Sequence, residues 1–357
     1  MLRSRRVWIG FAVSLLFIGL FLYRTDFDEI RDAFANANYL IAFASLPVYF
    51  LGIWLRTVRW QYLLRPVRRV SARRLFPVVI IGLMANNLIP ARAGELVRAY
   101  ILGERERVNK AAALGTIAID RLFDGLTLLP ALVILAAFVG GGEEFEANLL
   151  VTKFTVDFLQ LAVIMAVLFG AALAVFVLLA FSEAWRGRAD GLIATLTPAR
   201  FRPSVEGLAR SFFKGLDVLR SPGDLAVALV MSALSWLLEA TMYYLVGLAF
   251  DIEVGFHIYL LATAAANLAI AVLASQGGIG PFELVTKQTF IAAGVASSTA
   301  AAYAIGLHAL VLLPVTAAGL YFLGTMGLSL GEMFRRSTAS SPDTAAAGLP
   351  REEVQGS

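Results

Sequence analysis

Cysteine is absent from the 357-residue chain, and histidine occurs only at positions 257 and 308. Disulfides, cysteine-ligated metal centres and cysteine nucleophiles are therefore excluded, and two histidines are too few for a histidine-rich metal site. Charged residues make up only 16% of the chain, against about 25% in ordinary soluble proteins. These shortages exclude a conventional soluble enzyme, and the sequence predicts neither a bound metal ion nor a cofactor.

Long apolar runs are what the chain does contain. Hydrophobic residues make up 59% of it, and they gather into stretches of roughly 17 residues or more, the length that a helix needs to cross about 30 Å of hydrocarbon. The formal net charge of +4 comes almost wholly from arginine, and the positions of the arginines indicate membrane orientation. The sequence therefore predicts an all-α polytopic membrane protein that does not bind nucleic acid.

The first two apolar runs orient the N-terminal part of the chain. A basic start at residues 1–6 precedes the run 7–23, which has no small-x-small cleavage site and is interpreted as an uncleaved first span. The acidic segment 24–32 then lies outside, and a second span over 39–55 returns to the cytoplasm. There the chain meets arginines at positions 56, 59, 65, 68, 69, 73 and 74. This is the strongest positive-inside signal in the sequence.

The next apolar run, at residues 75–89, decides the rest of the topology. If it crossed the membrane, the acidic loop at 143–146 would lie in the cytoplasm and the arginine-rich stretch at 185–220 outside, against the positive-inside rule. If residues 75–103 instead form a re-entrant hairpin on the cytoplasmic face, every later loop obeys the rule. Residues 111–139 then cross outward, and residues 158–181 return.

The second half of the chain is interpreted in the same way. An amphipathic helix lying in the interface is predicted over 203–220, because Val205, Leu208 and Phe212 recur at helical spacing beside basic residues. Residues 224–250 cross outward, a second re-entrant hairpin occupies 256–295, and the last span, 303–328, ends inside. The prediction is one domain over 1–336 in the cell membrane, with six full spans, two hairpins, cytoplasmic termini and a disordered tail at 337–357.

The two predicted hairpins share a short string of residues. Glu95-Leu96-Val97 follows the break in the first hairpin, and Glu283-Leu284-Val285 follows the break in the second. Repeats in oppositely oriented halves are typical of inverted-repeat transporters, in which the substrate site lies near the midplane where broken helices meet. Three shared residues are weak evidence by themselves, so the repeat supports this arrangement only together with the topology.

Ionisable residues at membrane depth are the main candidate site residues, because each costs roughly 2.5–3.5 kcal/mol on insertion scales. They are Asp120, Arg121 and Asp124 on one helix, Glu239 on a later one, and Arg92, Glu95, Arg98, Glu283 and Lys287 in the hairpins. One interpretation is that these charges neutralise one another and hold helices together. The other is that the basic residues receive an anionic headgroup, since a guanidinium matches phosphate, while Glu95 and Glu283 titrate during transport.

Three glycines and a histidine complete the candidate set. Gly277, Gly278 and Gly280 free backbone amides, and a half-helix can begin at Pro281 with its N-terminal dipole facing an anion. The alternative is an ordinary glycine-rich loop outside the membrane. His308 lies inside the last predicted span and is interpreted either as a proton relay or headgroup contact, or as a packed, hydrogen-bonded histidine.

Three segments resemble the signatures of a known family. NLIPARAGELVR at 87–98, DRLFD at 120–124 and SQGGIGPFE at 275–283 are similar to the motifs of the lysylphosphatidylglycerol synthase transmembrane-region family, also called the flippase-like domain family. The resemblance covers residues 7–328. The family pattern usually has Glu-Arg where this chain has Asp120-Arg121, and the last helix often carries arginine where His308 stands, which puts a headgroup role for His308 in doubt.

The resemblance implies a lipid-translocating membrane domain. In multidomain relatives this domain moves aminoacylated phosphatidylglycerol between leaflets, and other relatives are tied to polyprenyl-linked sugars or hopanoid lipids. The substrate does not follow from membership. No soluble synthetase domain follows position 328 in the sequence, so aminoacylation chemistry is not expected of this chain.

The leading functional hypothesis is a lipid flippase or transporter that carries an anionic, phosphate-bearing lipid, and it predicts no enzymatic activity. A second hypothesis is a membrane-embedded enzyme acting on a lipid phosphate, with Asp120, Asp124 or Glu95 as general acid or base. A third is a non-transporting subunit that anchors a lipid-modifying enzyme as its partner. All three hypotheses make membrane lipids the immediate surroundings of the site, and the first makes an anionic headgroup its ligand.

Overall fold

The computed structural model describes residues 16–21, 26–89, 93–139, 145–149, 152–156, 158–198, 202–273 and 275–328. Most of this part of the chain is helical. The helices are α1 (16–21), α2 (Phe27–Asn36), α3 (Tyr39–Ala44), α4 (Leu46–Leu64), α5 (Ala72–Leu88), α6 (Gly94–Glu106), α7 (Lys110–Val139), α8 (Phe158–Phe181), α9 (Glu183–Leu196), α10 (Arg202–Gly215), α11 (Pro222–Ala249), α12 (Phe256–Leu273), α13 (Pro281–Ala292) and α14 (Ser297–Thr325). Single 3-10 turns follow α10 and α12, at Leu216–Arg220 and Gln276–Gly278.

One small β hairpin departs from a purely helical chain. Strands β1 (Phe145–Leu149) and β2 (Thr152–Val156) pair antiparallel between α7 and α8. Their sequences, FEANL and TKFTV, carry the aromatic and β-branched residues that favour strands. The segment that was expected to be an acidic loop therefore contributes a short strand, and the predominantly helical class is unchanged.

Several helices are long and apolar enough to cross a bilayer. In the part of the chain that the structure describes, three segments meet this description: Tyr39–Leu64, which comprises α3 and α4, Pro222–Ala249 and Ser297–Thr325. A shorter apolar helix, Phe256–Ala271, lies within α12. Helices α7 and α8 have 30 and 24 residues and lie at the bounds predicted for the third and fourth spans. The chain is a multi-pass membrane protein, whereas most of the first predicted span lies outside the described residues.

Helix α4 is longer than the sequence predicted. The second span was expected to end at residue 55, but the helix continues to Leu64. Ile53, Trp60 and Leu63 are all buried and lie on one face at helical spacing. The correction matters because Arg56 and Arg59, which were assigned to a cytoplasmic loop, belong to this helix. The assignment failed because arginine was treated as a signal that the span had ended.

Helices α5 and α6 form the first helical hairpin, hairpin 1. The arms run antiparallel, since Arg74 near the start of α5 lies 3.5 Å from Glu106 at the end of α6. Near the turn the arms approach closely, and the Gly94 amide donates to Asn86 Oδ1 at 2.8 Å. A Cβ atom at Gly94 would lie 2.6 Å from this oxygen and would also meet the Gly82 carbonyl. Glycine is therefore required at this crossing.

Helices α12 and α13 form the second helical hairpin, hairpin 2. The rings of Tyr259 on α12 and Phe290 on α13 are 5.1 Å apart, so the arms again run antiparallel. Between the arms, Gly277, Gly278 and Gly280 all have positive φ, at 62°, 79° and 97°. These are conformations that other residues rarely adopt. The glycine-rich stretch is therefore the turn of a hairpin, and α13 begins at Pro281 as predicted.

The turn of hairpin 2 meets the end of α5 in hairpin 1. Gln276, in the turn of hairpin 2, donates from Nε2 to the Leu88 carbonyl at the end of α5 over 2.9 Å. Asn87, beside it on α5, donates to Thr316 Oγ1 on α14 at 3.0 Å. Helix α14 packs against both α5 and α13. The structure thus places the glycine-rich break of the second hairpin against the last residues of α5.

Helix α10 and the 3-10 turn after it cover the segment predicted as an amphipathic helix, and its place in the membrane interface stays a prediction. Phe213, Leu216 and Leu219 are buried, whereas Leu208 is exposed. The helix packs closely against α7 where Gly215 faces Gly115. A Cβ atom at Gly215 would lie 2.9 Å from Gly115 Cα and 2.9 Å from Thr116 N on α7. The predicted tail at 337–357 lies outside the described residues.

Candidate functional site

A fully buried arginine lies at the centre of the charged residues. The Arg59 side chain on α4 has no exposed surface, and its Nε donates to Asp120 Oδ1 on α7 at 2.8 Å. Its Nη1 donates to Ser232 Oγ on α11 at 2.8 Å and lies 2.8 Å from Asp124 Oδ1. One guanidinium therefore joins three helices. A charge without water in this position is tolerated only because it is paired and hydrogen-bonded.

Hairpin 1 adds a second arginine to the same carboxylate. Arg98 Nη1 on α6 donates to Asp120 Oδ2 at 3.2 Å, so each oxygen of Asp120 faces its own arginine. The Arg98 guanidinium lies 4.1 Å from the centre of the Trp60 ring, a cation–π geometry. Trp60 is itself fixed by a hydrogen bond from Nε1 to Thr116 Oγ1 at 3.1 Å.

The accessible edge of the cluster is formed by Arg121 and Glu95. The Arg121 side chain is 36% exposed and lies 3.1 Å from Asp124 and 3.4 Å from Asp120. Glu95 on α6 lies 4.0 Å away, at the limit of an ion pair, and its side chain is 20% exposed. Asn86 donates to Glu95 at 3.4 Å. This edge is where a ligand can reach the cluster.

A second arginine–carboxylate pair extends the cluster toward hairpin 2. Arg56 on α4 forms a partly buried ion pair with Glu239 on α11, and its guanidinium lies 4.1 Å from the centre of the Trp236 ring. The other oxygen of Glu239 accepts a hydrogen bond from Asn267 on α12 at 2.9 Å. We call the whole set the charge network. Its members are Arg56, Arg59, Glu95, Arg98, Asp120, Arg121, Asp124 and Glu239.

The charges of the network balance, but its hydrogen bonds do not. Four arginines face four carboxylates, which supports the interpretation that the charges neutralise one another. Among the described residues, however, each arginine keeps one buried guanidinium nitrogen without a hydrogen-bond partner: Arg56 Nε, Arg59 Nη2, Arg98 Nε and Arg121 Nε. Unsatisfied buried donors are costly. One network acceptor, Asp124 Oδ1, also lacks a hydrogen-bond partner. Four donors against one acceptor leave the network with donor capacity that an additional acceptor can use.

A separate acid–histidine pair lies at the turn of hairpin 2. Glu283 Oε2 accepts from the Gly280 amide at 2.7 Å, so the anion at the start of α13 is the side chain of Glu283 itself. Its Oε1 lies 2.7 Å from His308 Nδ1 on α14, and His308 Nε2 lies 3.0 Å from the Gly277 carbonyl. The Phe282 ring stacks on the imidazole with the ring centres 4.3 Å apart.

Comparison with known proteins gives the family. A profile described as the lysylphosphatidylglycerol synthase TM region matches residues 7–319. The chain belongs to this family. The three signatures quoted above thus pointed to the correct family, and two of them supply five of the eight members of the charge network.

The curated relatives carry mostly general names. A UPF0104 membrane protein of Methanothermobacter thermautotrophicus is 26% identical over 340 residues, which cover 91% of this chain and 94% of that protein. A second UPF0104 membrane protein of this organism is 27% identical over 336 residues, or 89% of this chain and 93% of that protein. Glycosyltransferase AglD of Haloferax volcanii is 25% identical over 323 residues, or 84% of this chain and 51% of that protein. The chain therefore spans about half the length of AglD.

The predicted site residues fall into groups in this family member. The network contains Glu95, Arg98, Asp120, Arg121, Asp124 and Glu239. The turn of hairpin 2 contains Gly277, Gly278 and Gly280, and beside it lie Glu283 on α13 and His308 on α14. Arg92 lies outside the described residues. Lys287 is buried on α13, where Nζ donates to the Phe21 carbonyl at 3.1 Å and lies 5.2 Å from the centre of the Phe21 ring.

Sequence reasoning missed Arg56 and Arg59, which were assigned to a cytoplasmic loop. Two signals were available. The arginines are three residues apart and therefore share a helix face, and buried Ile53 and Trp60 continue the apolar pattern of the span on both sides of them. In the described part of the chain, no cluster of three or more histidine, cysteine or acidic residues could hold a metal ion.

Proposed function

We propose that this family member is a lipid transporter that moves an anionic, phosphate-bearing lipid between leaflets, with the charge network as its headgroup site. The observation that carries the proposal is the set of buried guanidinium donors without partners, on arginines that are otherwise neutralised. A phosphate oxygen accepts such donors with matching geometry. The headgroup reaches the network at its accessible edge, which Arg121 and Glu95 form.

We propose two candidate substrate classes. The family description names lysylphosphatidylglycerol synthase, which favours aminoacylated phosphatidylglycerol. The second class is a polyprenyl-phosphate-linked lipid, which the resemblance also implies. The two share a phosphodiester or phosphate beside an apolar chain, and this shared chemistry is what the network recognises.

The proposed path through the membrane uses the two hairpins. We infer six full spans, with hairpin 1 entering from the cytoplasmic face, hairpin 2 from the outside and both termini in the cytoplasm. Irregular backbone at membrane depth is tolerated where protein or water covers it, as where the turn of hairpin 2 meets the end of α5. The headgroup is then exposed to each face in turn as the hairpins separate on one side or the other.

An enzyme acting on a lipid phosphate is the second candidate. AglD, which matches over half its own length, is named a glycosyltransferase, and this name favours group transfer. The geometry favours it less, because Asp120 is paired with three arginines and Asp124 with two. A carboxylate held in this way is a poor proton acceptor, since the adjacent cations stabilise its charged form.

The test is lipid translocation by purified protein in proteoliposomes. Aminoacylated phosphatidylglycerol, unmodified phosphatidylglycerol and a polyprenyl-phosphate sugar are offered separately to the wild type and to Arg98→Gln, which alters the charge network. We expect protein-dependent movement of one lipid class without chemical change, and slower movement of that lipid by Arg98→Gln. No movement of any of the three by folded protein, or conversion of a lipid to a new product, would overturn the proposal and favour the partner-subunit or enzyme hypothesis.

A further inference from the structure

The Glu283–His308 contact requires a proton that a neutral histidine and a carboxylate cannot supply. The Gly277 carbonyl can only accept, so His308 Nε2, at 3.0 Å, must be the donor to it. A neutral histidine then has a bare lone pair on Nδ1. This lone pair would face Glu283 Oε1 at 2.7 Å, where a carboxylate also offers only lone pairs. One further proton must therefore lie between the two atoms, on Nδ1 or on Oε1.

The second oxygen of Glu283 cannot remove this requirement. Oε2 already accepts from the Gly280 amide at 2.7 Å, so it is an acceptor as well. The pair is also enclosed, because the side chains of His308 and Glu283 are 7% and 15% exposed and the Phe282 ring covers one face of the imidazole. At 2.7 Å there is no room for a water molecule between Nδ1 and Oε1 to donate hydrogen bonds to both. The observed conformation is thus the proton-loaded one.

The other ionisable groups around His308 do not take over the role of Glu283. The elements packed against α14 carry Asp28, Glu29, Arg31 and Asp32 on α2, Arg73 and Arg74 on α5, Asp224, Glu239, Tyr243 and Tyr244 on α11, and Glu283 and Lys287 on α13, while α14 itself carries Tyr303 and Tyr321. The acids on α2 are exposed, and Asp224 and Glu239 are paired with Arg65 and Arg56. The side-chain contact that the structure records for the His308 ring nitrogens is with Glu283.

Loss of the proton would loosen a contact between the hairpins. His308 binds the Gly277 carbonyl in the turn of hairpin 2, and the neighbouring Gln276 binds the Leu88 carbonyl at the end of α5 in hairpin 1. Without the proton, a lone pair of His308 and a charge of Glu283 repel at hydrogen-bond distance. Either the turn of hairpin 2 or the start of α13 must then move away from α14.

We propose that Glu283 and His308 form a proton-binding site, and that its occupancy couples lipid movement to proton movement by holding the turn of hairpin 2 against α14. In the step itself, one proton leaves the Nδ1–Oε1 contact for water on the side to which the hairpin opens, and no covalent bond or redox state changes. The proposal rests on the transport function inferred above. It identifies protons as the coupling ion.

The proton can be observed directly, without measuring transport. In the variant His257→Gln, His308 is the one remaining histidine of the chain. Nitrogen-15 spectra of this protein, labelled at histidine and held in lipid nanodiscs, are expected to show Nε2 protonated and Nδ1 in a hydrogen bond containing a proton. A free lone pair on Nδ1 at every pH at which the protein is folded would overturn the proposal.

A distance measurement tests the mechanical part. The natural chain has no cysteine, and Ile279 in the turn and Leu313 on α14 are both exposed, so spin labels on Ile279→Cys and Leu313→Cys report the contact. We expect the label distance to be longer in alkaline than in acidic buffer, because the contact without its proton no longer holds the turn against α14. In Glu283→Gln the amide nitrogen can donate to Nδ1 and the amide oxygen can accept from Gly280, so the distance is expected to be independent of pH.

These outcomes separate the two proposals. Proton coupling is overturned, even if lipid moves, by either of two results. One is a label distance that does not change with pH in the wild type, and the other is a distance that still changes with pH in Glu283→Gln. Lipid movement that fails in proteoliposomes, with the spectra and distances as expected, overturns the transport function and leaves the proton site standing. When both hold, an imposed pH gradient should change the translocation rate of the wild type according to its direction.

Discussion

At the scale of single residues, Asp120 is the member of the charge network with the most arginine partners. It lies within ion-pair distance of Arg59, Arg98 and Arg121, which come from α4, α6 and the adjacent position on α7. The cost of burying such charges is offset only while all partners are present. The network therefore holds together three parts of the chain, in addition to any role in binding a headgroup.

Removing the central arginine should destabilise the protein strongly. In Arg59→Met, Asp120 and Asp124 lose a buried cation, and we expect a fall of about 3–5 kcal/mol in the free energy of unfolding. Denaturation in mixed detergent micelles measures it. The matched control is Arg65→Met, whose ion pair with Asp224 is at the surface and whose loss should cost less than about 1 kcal/mol. Equal effects in both variants would contradict a structural role for the network.

At the scale of elements, hairpin 1 depends on the absence of side chains where its arms cross. Gly82 and Gly94 lie at this crossing, and Glu95 and Arg98 follow within one turn of α6. A displacement of α6 therefore moves two members of the network at once. The hairpin positions the site through its close packing.

A single methyl group at the crossing should disturb both stability and function. In Gly94→Ala the new Cβ atom meets Asn86 Oδ1 at 2.6 Å, and overpacking of this kind costs about 1–3 kcal/mol. We expect a lower thermal unfolding midpoint and slower lipid translocation. Gly207→Ala on α10 is the control, since nothing lies within 4 Å of its added Cβ. A Gly94→Ala protein as stable and as active as this control would refute the packing argument.

The elements show how far sequence reasoning reached. Long apolar runs predicted α7 and α8 at their observed bounds, and the glycines of the second break predicted a helix start at Pro281. The predicted end of α4 was wrong, because the local charge of Arg56 and Arg59 indicates a loop when their partners are unknown. Their partners lie on α7 and α11, far along the chain. Such pairings depend on tertiary packing, which periodicity does not report.

The same limit applies at the turn of hairpin 2. The sequence indicated that Glu283 and His308 were each candidates for proton transfer, but it gave no sign that they touch. Their contact exists because α13 and α14 pack together and the Gly277 turn brings a carbonyl to the other side of the ring. The pairing changes two separate candidates into one site.

At the scale of the whole molecule, the proposed topology predicts on which face of the membrane the two ends of each hairpin lie. The chain has no cysteine, so single introduced cysteines can be labelled without background. Exposed positions flank both hairpins, namely Arg69 and Glu104 for hairpin 1 and Glu253 and Ser297 for hairpin 2. Gly278, in the turn itself, is buried and has a positive φ, so it is a poor place for a cysteine.

Labelling with a membrane-impermeant reagent should divide these four positions into two pairs. In oriented vesicles, Arg69→Cys and Glu104→Cys are expected to react only from the cytoplasmic side, and Glu253→Cys and Ser297→Cys only from the opposite side. The reason is that antiparallel arms return a hairpin to the face from which it entered. If the two ends of one hairpin reacted from opposite faces, that hairpin would cross the membrane and the topology would be wrong.

The central claim is that the charge network binds the headgroup of a lipid that the protein moves. The most direct test is the initial rate of translocation of the transported lipid by Arg98→Gln and by Arg65→Gln in matched proteoliposomes. Loss of a charged hydrogen-bond donor from the site should lower the Arg98→Gln rate by about 10-fold or more, while Arg65→Gln, altered at the surface, should match the wild type. Equal rates in folded Arg98→Gln and Arg65→Gln proteins would contradict the account.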